Sequence, residues 1–203
     1  MPSTPMFTEA ACPIPLAPPL RPFRREDAAV VARLNNAASG GILLHHWHEK
    51  AGAEGDPWEI GRLRQIGRME DGQTMVVVDR GEGVEAVLLG NPIGQEPMEL
   101  AEAGIYLPVL ELQNLVLGSW YLNDLATVES ARRQGLARRL LDTAEAIARA
   151  GRHDLICLVV SDAHAPARAL YAAYGYNEIA RRPILKGGWD GPGNDWILLT
   201  KPL

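Results

Sequence analysis

Residues 121–150, YLNDLATVESARRQGLARRLLDTAEAIARA, run from a short apolar strand pattern through a basic turn into an amphipathic helix. In that order, backbone N–H groups, a helix N-terminus and the side chains of Arg132, Arg133 and Arg138 meet at one point. Such a point suits a phosphate. The first turn of a helix leaves its N–H groups unpaired, so an anion there gains hydrogen bonds and a dipole contribution of roughly 0.3–1 kcal/mol. Gly135 lacks the Cβ that would hinder close approach, and Ala137 is nearly as small. The leading expectation is a nucleotide-bearing cofactor. An ordinary exposed, arginine-rich helix start is the alternative.

The elements that must position this turn are readable nearby. Leu136, Leu140, Leu141, Ala144, Ile147 and Ala148 share one helical face, while Arg138, Arg139, Asp142, Glu145 and Arg149 share the other. Gly151 is expected to end that helix as a left-handed cap. Residues 154–160, DLICLVV, read as a buried strand. Ser161 and Asp162 can cap a second helix, in which Pro166 is tolerated early and Ala167, Leu170, Tyr171 and Tyr174 form the apolar stripe up to Gly175. Residues 176–180 begin another strand. Upstream, 28–38 and 58–69 read as helices, the second with Asp56 as cap and Pro57 at its first position. Residues 75–79 and 84–90 read as a hairpin. The connection 91–118 is long and carries Leu107, Val109, Leu110, Leu112, Leu115, Val116 and Leu117. It is either a cover over a site or a surface insertion or dimer contact.

Here the pattern meets a known family. Arg132-Arg133-Gln134-Gly135-Leu136-Ala137 resembles the R/Q-x-x-G-x-G/A motif of the GNAT superfamily of N-acetyltransferases. Asp124-Leu125-Ala126-Thr127 resembles its splayed fourth strand. The run from His164 through Ala167, Leu170 and Tyr171 to Gly175-Tyr176 resembles its N-x-x-A-x-x-L-Y-x-x-x-G-F/Y segment. His164 stands where the family usually has asparagine, Ala137 where it has a second glycine, and Thr127 where an aliphatic residue is usual. Residues 20–27 and 196–203 resemble the family's first and closing strands. The resemblance implies a single α/β domain over 20–203, with a mixed, mostly antiparallel central sheet, a splayed strand pair and flanking helices. A flexible, proline-rich arm is expected over 1–19.

The resemblance also implies chemistry. Acetyl-CoA, as co-substrate, would lie between the strand at Leu125, Ala126 and Thr127 and the strand over 155–160. Its pyrophosphate would accept from N–H groups of Arg132, Arg133, Gln134, Gly135, Leu136, Ala137 and Arg138, with His164 at a further contact position. N–H groups near Leu125, Ala126 and Thr127 would hold the pantetheine arm and polarise the thioester carbonyl. An amine must be neutral to attack, so a base is needed. Asp124 can accept a proton, and Tyr171 is at the family position of the acid that protonates the leaving thiolate. His45, His46, His48 and Glu111 are weaker candidates for the base. The implied reaction is direct transfer of acetyl to an amine in a ternary complex. A non-catalytic acyl-CoA-binding or sensing module is the alternative. The donor is expected to be acetyl-CoA, with a longer acyl-CoA as a variant, and the acceptor is not readable.

Composition fits these expectations. The 203 residues carry 47% hydrophobic and 22% charged side chains, which indicates a globular chain with a sizeable core. The net charge of −5 argues against nonspecific nucleic-acid binding. Cys12 and Cys157 make no disulfide framework, and Cys157 reads as an inert core residue. No apolar run has membrane length and the first nineteen residues lack the basic start of a signal peptide, so a cytoplasmic protein is expected. A homodimer is compatible with the apolar stretch at 107–117. His45, His46, His48 and Glu49 suggest the polar wall of a substrate pocket, or a solvated helix end. They do not complete a tetrahedral metal set, and no metal is expected.

Overall fold

A computed structural model describes residues 9–101 and 103–203. Thirteen elements position the site: strands β1 (Leu20–Pro22), β2 (Thr74–Asp79), β3 (Val84–Pro92), β4 (Trp120–Thr127), β5 (Leu155–Ser161), β6 (Asn177–Pro183) and β7 (Asp195–Pro202), with helices α1 (Ala28–Ala38), α2 (Ile42–Ala51), α3 (Pro57–Glu70), α4 (Leu107–Gln113), α5 (Leu136–Ala150) and α6 (Ala165–Ala173). The strands form one seven-stranded sheet in the order β1-β2-β3-β4-β5-β7-β6. The pair β4–β5 is parallel, and the pairs β1–β2, β2–β3, β5–β7 and β6–β7 are antiparallel. The expected α/β class and mixed sheet are therefore present. Two compact units divide the chain, residues 1–90 with 124–143, and residues 91–123 with 144–203. β4 and α5 each run from one unit into the other.

In the first unit, α3 starts as the sequence predicts. Pro57 is at its first turn and the Asp56 carboxylate accepts from the Trp58 N–H at 2.9 Å. Between α1 and α3 lies α2, a full helix where the sequence reading offered only a pocket wall or a solvated helix end around residues 45–49. Gly40 and Gly41 take φ of 69° and 93° to turn the chain. The Asn36 side chain then accepts from the Leu44 N–H at 2.8 Å, satisfying one first-turn donor from the preceding helix. Trp47 of α2 is buried against α3 at Gly61, where a Cβ would come within 2.5 Å of the indole ring. The core joins Phe23, Val31, Leu34, Ile66, Met69, Met75, Val77, Val87, Leu89 and Ala126. The expected arm lies partly outside the described residues, at 1–8. Within 9–19, Ala10 is buried and its N–H donates to Phe23 O at 2.7 Å, so this part is packed on the first unit.

In the second unit, the connection 91–118 carries α4 and packs inward. Leu112, Val116 and Ile93 join Tyr121, Cys157 and Leu198 in one buried cluster. Asn114 clamps the loop by accepting from Met98 N–H at 2.8 Å and donating to Met98 O at 3.2 Å. Arg182 of β6 donates to Glu111 of α4 at 2.9 Å. The segment thus has an internal packing role. Parallel pairing joins Trp120, Tyr121 and Leu122 of β4 to Ile156, Cys157 and Leu158 of β5. The left-handed residue after α5 is Arg152 (φ 59°), not Gly151. Gly151 is needed for a different reason, since a Cβ there would meet the His153 ring at 2.9 Å. That ring bonds Gly118 O at 2.8 Å through Nδ1.

Candidate active site

The basic turn follows β4 through a short 3-10 turn at Glu129–Ala131. Two left-handed residues, Arg133 (φ 61°) and Gly135 (φ 82°), then redirect the backbone into α5. A non-glycine residue at positive φ is strained, so the conformation at Arg133 is held by its surroundings. Gln134 supplies one hold. Its amide donates to Ser130 O at 3.1 Å and accepts from Arg80 Nη2 at 2.8 Å, while Arg80 also grips Glu85. Buried Ala131 and Leu136 anchor either end. The Arg139 N–H bonds Gly135 O at 3.0 Å, so the donors of Leu136, Ala137 and Arg138 precede the first helical bond. Arg132, Arg133 and Arg138 are exposed and make no ion pair among the described residues. At Gly135 a Cβ would meet nothing within 4 Å, so φ is what demands glycine there and the space beside it is open.

Just upstream, Leu125, Ala126 and Thr127 form the end of β4. The Val128 N–H donates to Glu85 O at 2.8 Å. Asp124 is enclosed. Its carboxylate takes Nη1 of Arg68 at 2.8 Å and Nδ2 of Asn35 at 3.1 Å. The side chains of Arg68 and Asp124 are only 11% and 13% exposed. Asn35 also donates to Gln65 at 3.2 Å, and both are fully buried. Asn35, Gln65 and Arg68 carry no motif signal. They come from α1 and α3, 89 and 56 residues from Asp124 for the two direct bonds, and only the folded chain assembles them.

The histidines lie on α2. His45 and His46 approach Glu49 at 3.9 and 3.6 Å, and His48 is exposed. His46 lines a cavity of about 240 Å³ between α2 and α3, together with Lys50, Arg64 and Arg68. Burial lowers its pKa, the positive charge of Lys50 adds to the lowering, and Glu49 opposes it. Among the described residues, no group of three or more His, Cys, Asp or Glu side chains could hold a metal ion.

In the second unit, His164 precedes α6 with its N–H on Ser161 O, and burial lowers its imidazole pKa. Tyr171 of α6 is 7% exposed and tilts against the Tyr176 ring, centroids 5.7 Å apart. Burial, then the nearby Glu145 charge, raises the Tyr176 hydroxyl pKa. Burial pushes the Cys157 thiol up to about 12, which suits the inert core role read from the sequence. Glu111 is occupied by Arg182.

The model of the acetyltransferase (GNAT) family matches residues 71–176, more than half of the chain. The chain belongs to the GNAT acetyltransferase family. Solved structures agree on the fold. A ribosomal-protein-alanine N-acetyltransferase from Brucella melitensis superposes with a TM-score of 0.62 at 20% identity, covering 91% of this chain and 99% of that one. A GNAT family acetyltransferase from Elizabethkingia anophelis with acetyl-CoA bound gives 0.52 at 15% identity, covering 69% and 82%. The yncA protein from Salmonella typhimurium, with its cofactor acetyl-CoA, gives 0.58 at 14% identity, covering 91% and 92%. A search of curated proteins returned no match. The family match spans β4, the arginine turn, His164, Tyr171 and Tyr176, but it begins after α1, α2 and α3, so Asn35, Gln65, Arg68 and the helical walls of the α2–α3 cavity lie outside it. No helix among the described residues is long and apolar enough to cross a membrane.

Proposed function

We propose that the protein transfers an acetyl group from acetyl-CoA to an amine of a small molecule or protein, by direct attack in a ternary complex. Family membership makes acetyl-CoA the co-substrate. When bound, it supplies an activated acetyl group and an anionic pyrophosphate. The observation that carries this reading is the turn after β4. Left-handed backbone at Arg133 and Gly135 leads into the first turn of α5, beside open space and three arginines that make no ion pair among the described residues. In this reading the N–H groups of residues 132–138 hold the pyrophosphate, and Arg132, Arg133 and Arg138 add charge.

Successive N–H groups on a strand point to opposite sides. With the Val128 N–H on Glu85 O, the Ala126 N–H turns toward β3, and those of Leu125 and Thr127 turn away from it. Leu125 and Thr127 are therefore the donors proposed for the pantetheine arm and the thioester oxygen. His164, at the family's asparagine position, has a half-buried ring whose pKa burial lowers, and it is the proposed further contact to the cofactor.

Tyr171 is the proposed acid for the leaving thiolate. Asp124 is the acidic group nearest these donors in the chain. The Asp124 carboxylate is engaged by the Arg68 guanidinium at 2.8 Å, so it would have to leave Arg68 before taking part in the reaction. That engagement is also the observation favouring the second reading, a module that binds acetyl-CoA without turnover. Tyr171→Phe tests the choice. We expect unchanged acetyl-CoA affinity and a kcat lowered by about 10²-fold, the low end of general acid contributions. Binding of acetyl-CoA with no release of free CoA across a broad amine panel would favour the sensing module.

A further inference from the structure

The α2 and α3 walls of the cavity lie in a part of the chain that the family match does not cover, and only Asp71 and Gln73 of its lining fall inside the match. Three cations, Lys50, Arg64 and Arg68, face one carboxylate, Asp71, in its lining. His46 in the same wall binds its proton less readily, first because it is buried and then because Lys50 opposes a further positive charge, with Glu49 acting the other way. The lining thus carries more cationic than anionic side chains, one of the cations, Arg68, being shared with Asp124.

Arg68 makes it a built site. Its side chain is nearly buried and fixed by Nη1, which donates to Asp124 at 2.8 Å and Gln65 at 3.4 Å. A guanidinium has five N–H donors in a rigid fork that suits carboxylates, so the cavity is lined by a group able to exchange one carboxylate for another. The volume, about 240 Å³, is below the roughly 300–1,000 Å³ of sites that enclose whole drug-sized ligands. It suits one anionic group on a short stem, not a nucleotide.

We propose that this cavity binds the carboxylate of the acyl acceptor, so that the acceptor is an amino acid or another amine carrying a carboxylate. The inference rests on the acetyl-transfer reading above. The link is Arg68. The same guanidinium that faces the cavity holds Asp124, and Asp124 directly precedes Leu125, the first of the donors proposed for the acetyl arm. A carboxylate arriving in the cavity competes for Arg68 and loosens its hold on Asp124. Acceptor binding would thereby free the carboxylate nearest the reacting groups.

The test is calorimetric titration of the CoA-saturated protein with the common amino acids, each beside its carboxamide, and with inorganic phosphate. It is repeated on the Lys50→Gln/Arg64→Gln double variant. Both side chains are exposed, and an unchanged CoA affinity reports that the variant is folded. The proposal expects at least one amino acid to bind about tenfold or more tightly than its carboxamide, the scale of one charge-assisted hydrogen bond. That preference should vanish in the double variant and survive in Lys50→Arg/Arg64→Lys. An amide binding as well as its acid in every pair overturns the proposal, as does a preference that persists in the double variant. Phosphate binding without any amino-acid preference also overturns it, and leaves a plain anion site. Failure to bind CoA at all would instead strike the acetyl-transfer reading, and the acid–amide comparison on the free protein would still decide the cavity.

Discussion

Two arginine-bearing regions of the first unit stand in contrast. At the turn into α5, Arg132, Arg133 and Arg138 are exposed and make no ion pair among the described residues. At Asp124, Arg68 is enclosed, ion-paired and backed by the buried Asn35 and Gln65. The first region leaves its charge exposed, as the proposed pyrophosphate contact requires, while the second binds its own carboxylate. An exposed arginine contributes little to stability and much to recognition, whereas an enclosed ion pair is costly to break because it leaves a buried charge behind. The two regions should therefore respond oppositely to mutation.

The largest effect expected is on binding at the turn. Gly135→Glu forces a side chain onto a φ of 82° and sets a negative charge beside the proposed pyrophosphate position. Losing two charge-assisted hydrogen bonds costs about 4 kcal/mol, so acetyl-CoA affinity should fall about a thousandfold, measured by calorimetry on protein whose circular dichroism is unchanged. An unaltered affinity would break the comparison at its first term.

Next in size is the enclosed pair. Arg68→Met should destabilise the fold by about 3 kcal/mol, read from the urea midpoint, because Asp124 loses its cation while keeping its burial. Arg132→Met in the same assay should stay within about 0.5 kcal/mol. Equal costs at the two positions would show that the turn is structural and erase the distinction.

The smallest effect concerns a third arginine, between these extremes. Arg21 bridges Asp27 at 2.7 Å and Asp79 at 2.9 Å. The Gly81 N–H, then Arg21, hold the Asp79 carboxyl below its ordinary value. A depressed carboxyl pKa stabilises the fold above the unfolded value, about 3.9, and this is lost as pH falls through the folded one. Asp79→Asn should therefore be less stable than wild type at pH 7, and the gap should close below pH 4. A gap that stays constant in urea melts across that range would assign the loss to hydrogen bonding alone.

The same contrast explains what the sequence could disclose. The turn into α5 is local, since strand, left-handed glycine, small residues and helix start follow one another within a few residues. Its order of strand, turn and helix was legible, as were α1, α3, the β2–β3 hairpin and α6. The Asp124 network was not, because Asn35, Gln65 and Arg68 look like ordinary polar positions on two helices until β4 is set beside them. Helix α2 was missed for a related reason: its first turn is satisfied by Asn36, a side chain of the previous helix, and its entry depends on left-handed Gly41. In the 91–118 stretch the apolar residues were visible, but their partners Tyr121, Cys157 and Leu198 are far along the chain. Gly151 was misread because its smallness serves His153 rather than a helix cap.

The central claim, that backbone N–H groups of the arginine turn receive acetyl-CoA, is tested most directly by amide NMR. In a titration with acetyl-CoA, the amide resonances of Arg133, Gln134, Gly135, Leu136, Ala137 and Arg138 should move together and saturate at the calorimetric affinity. Acetyl-CoA binding that leaves those six amides unmoved would contradict the account.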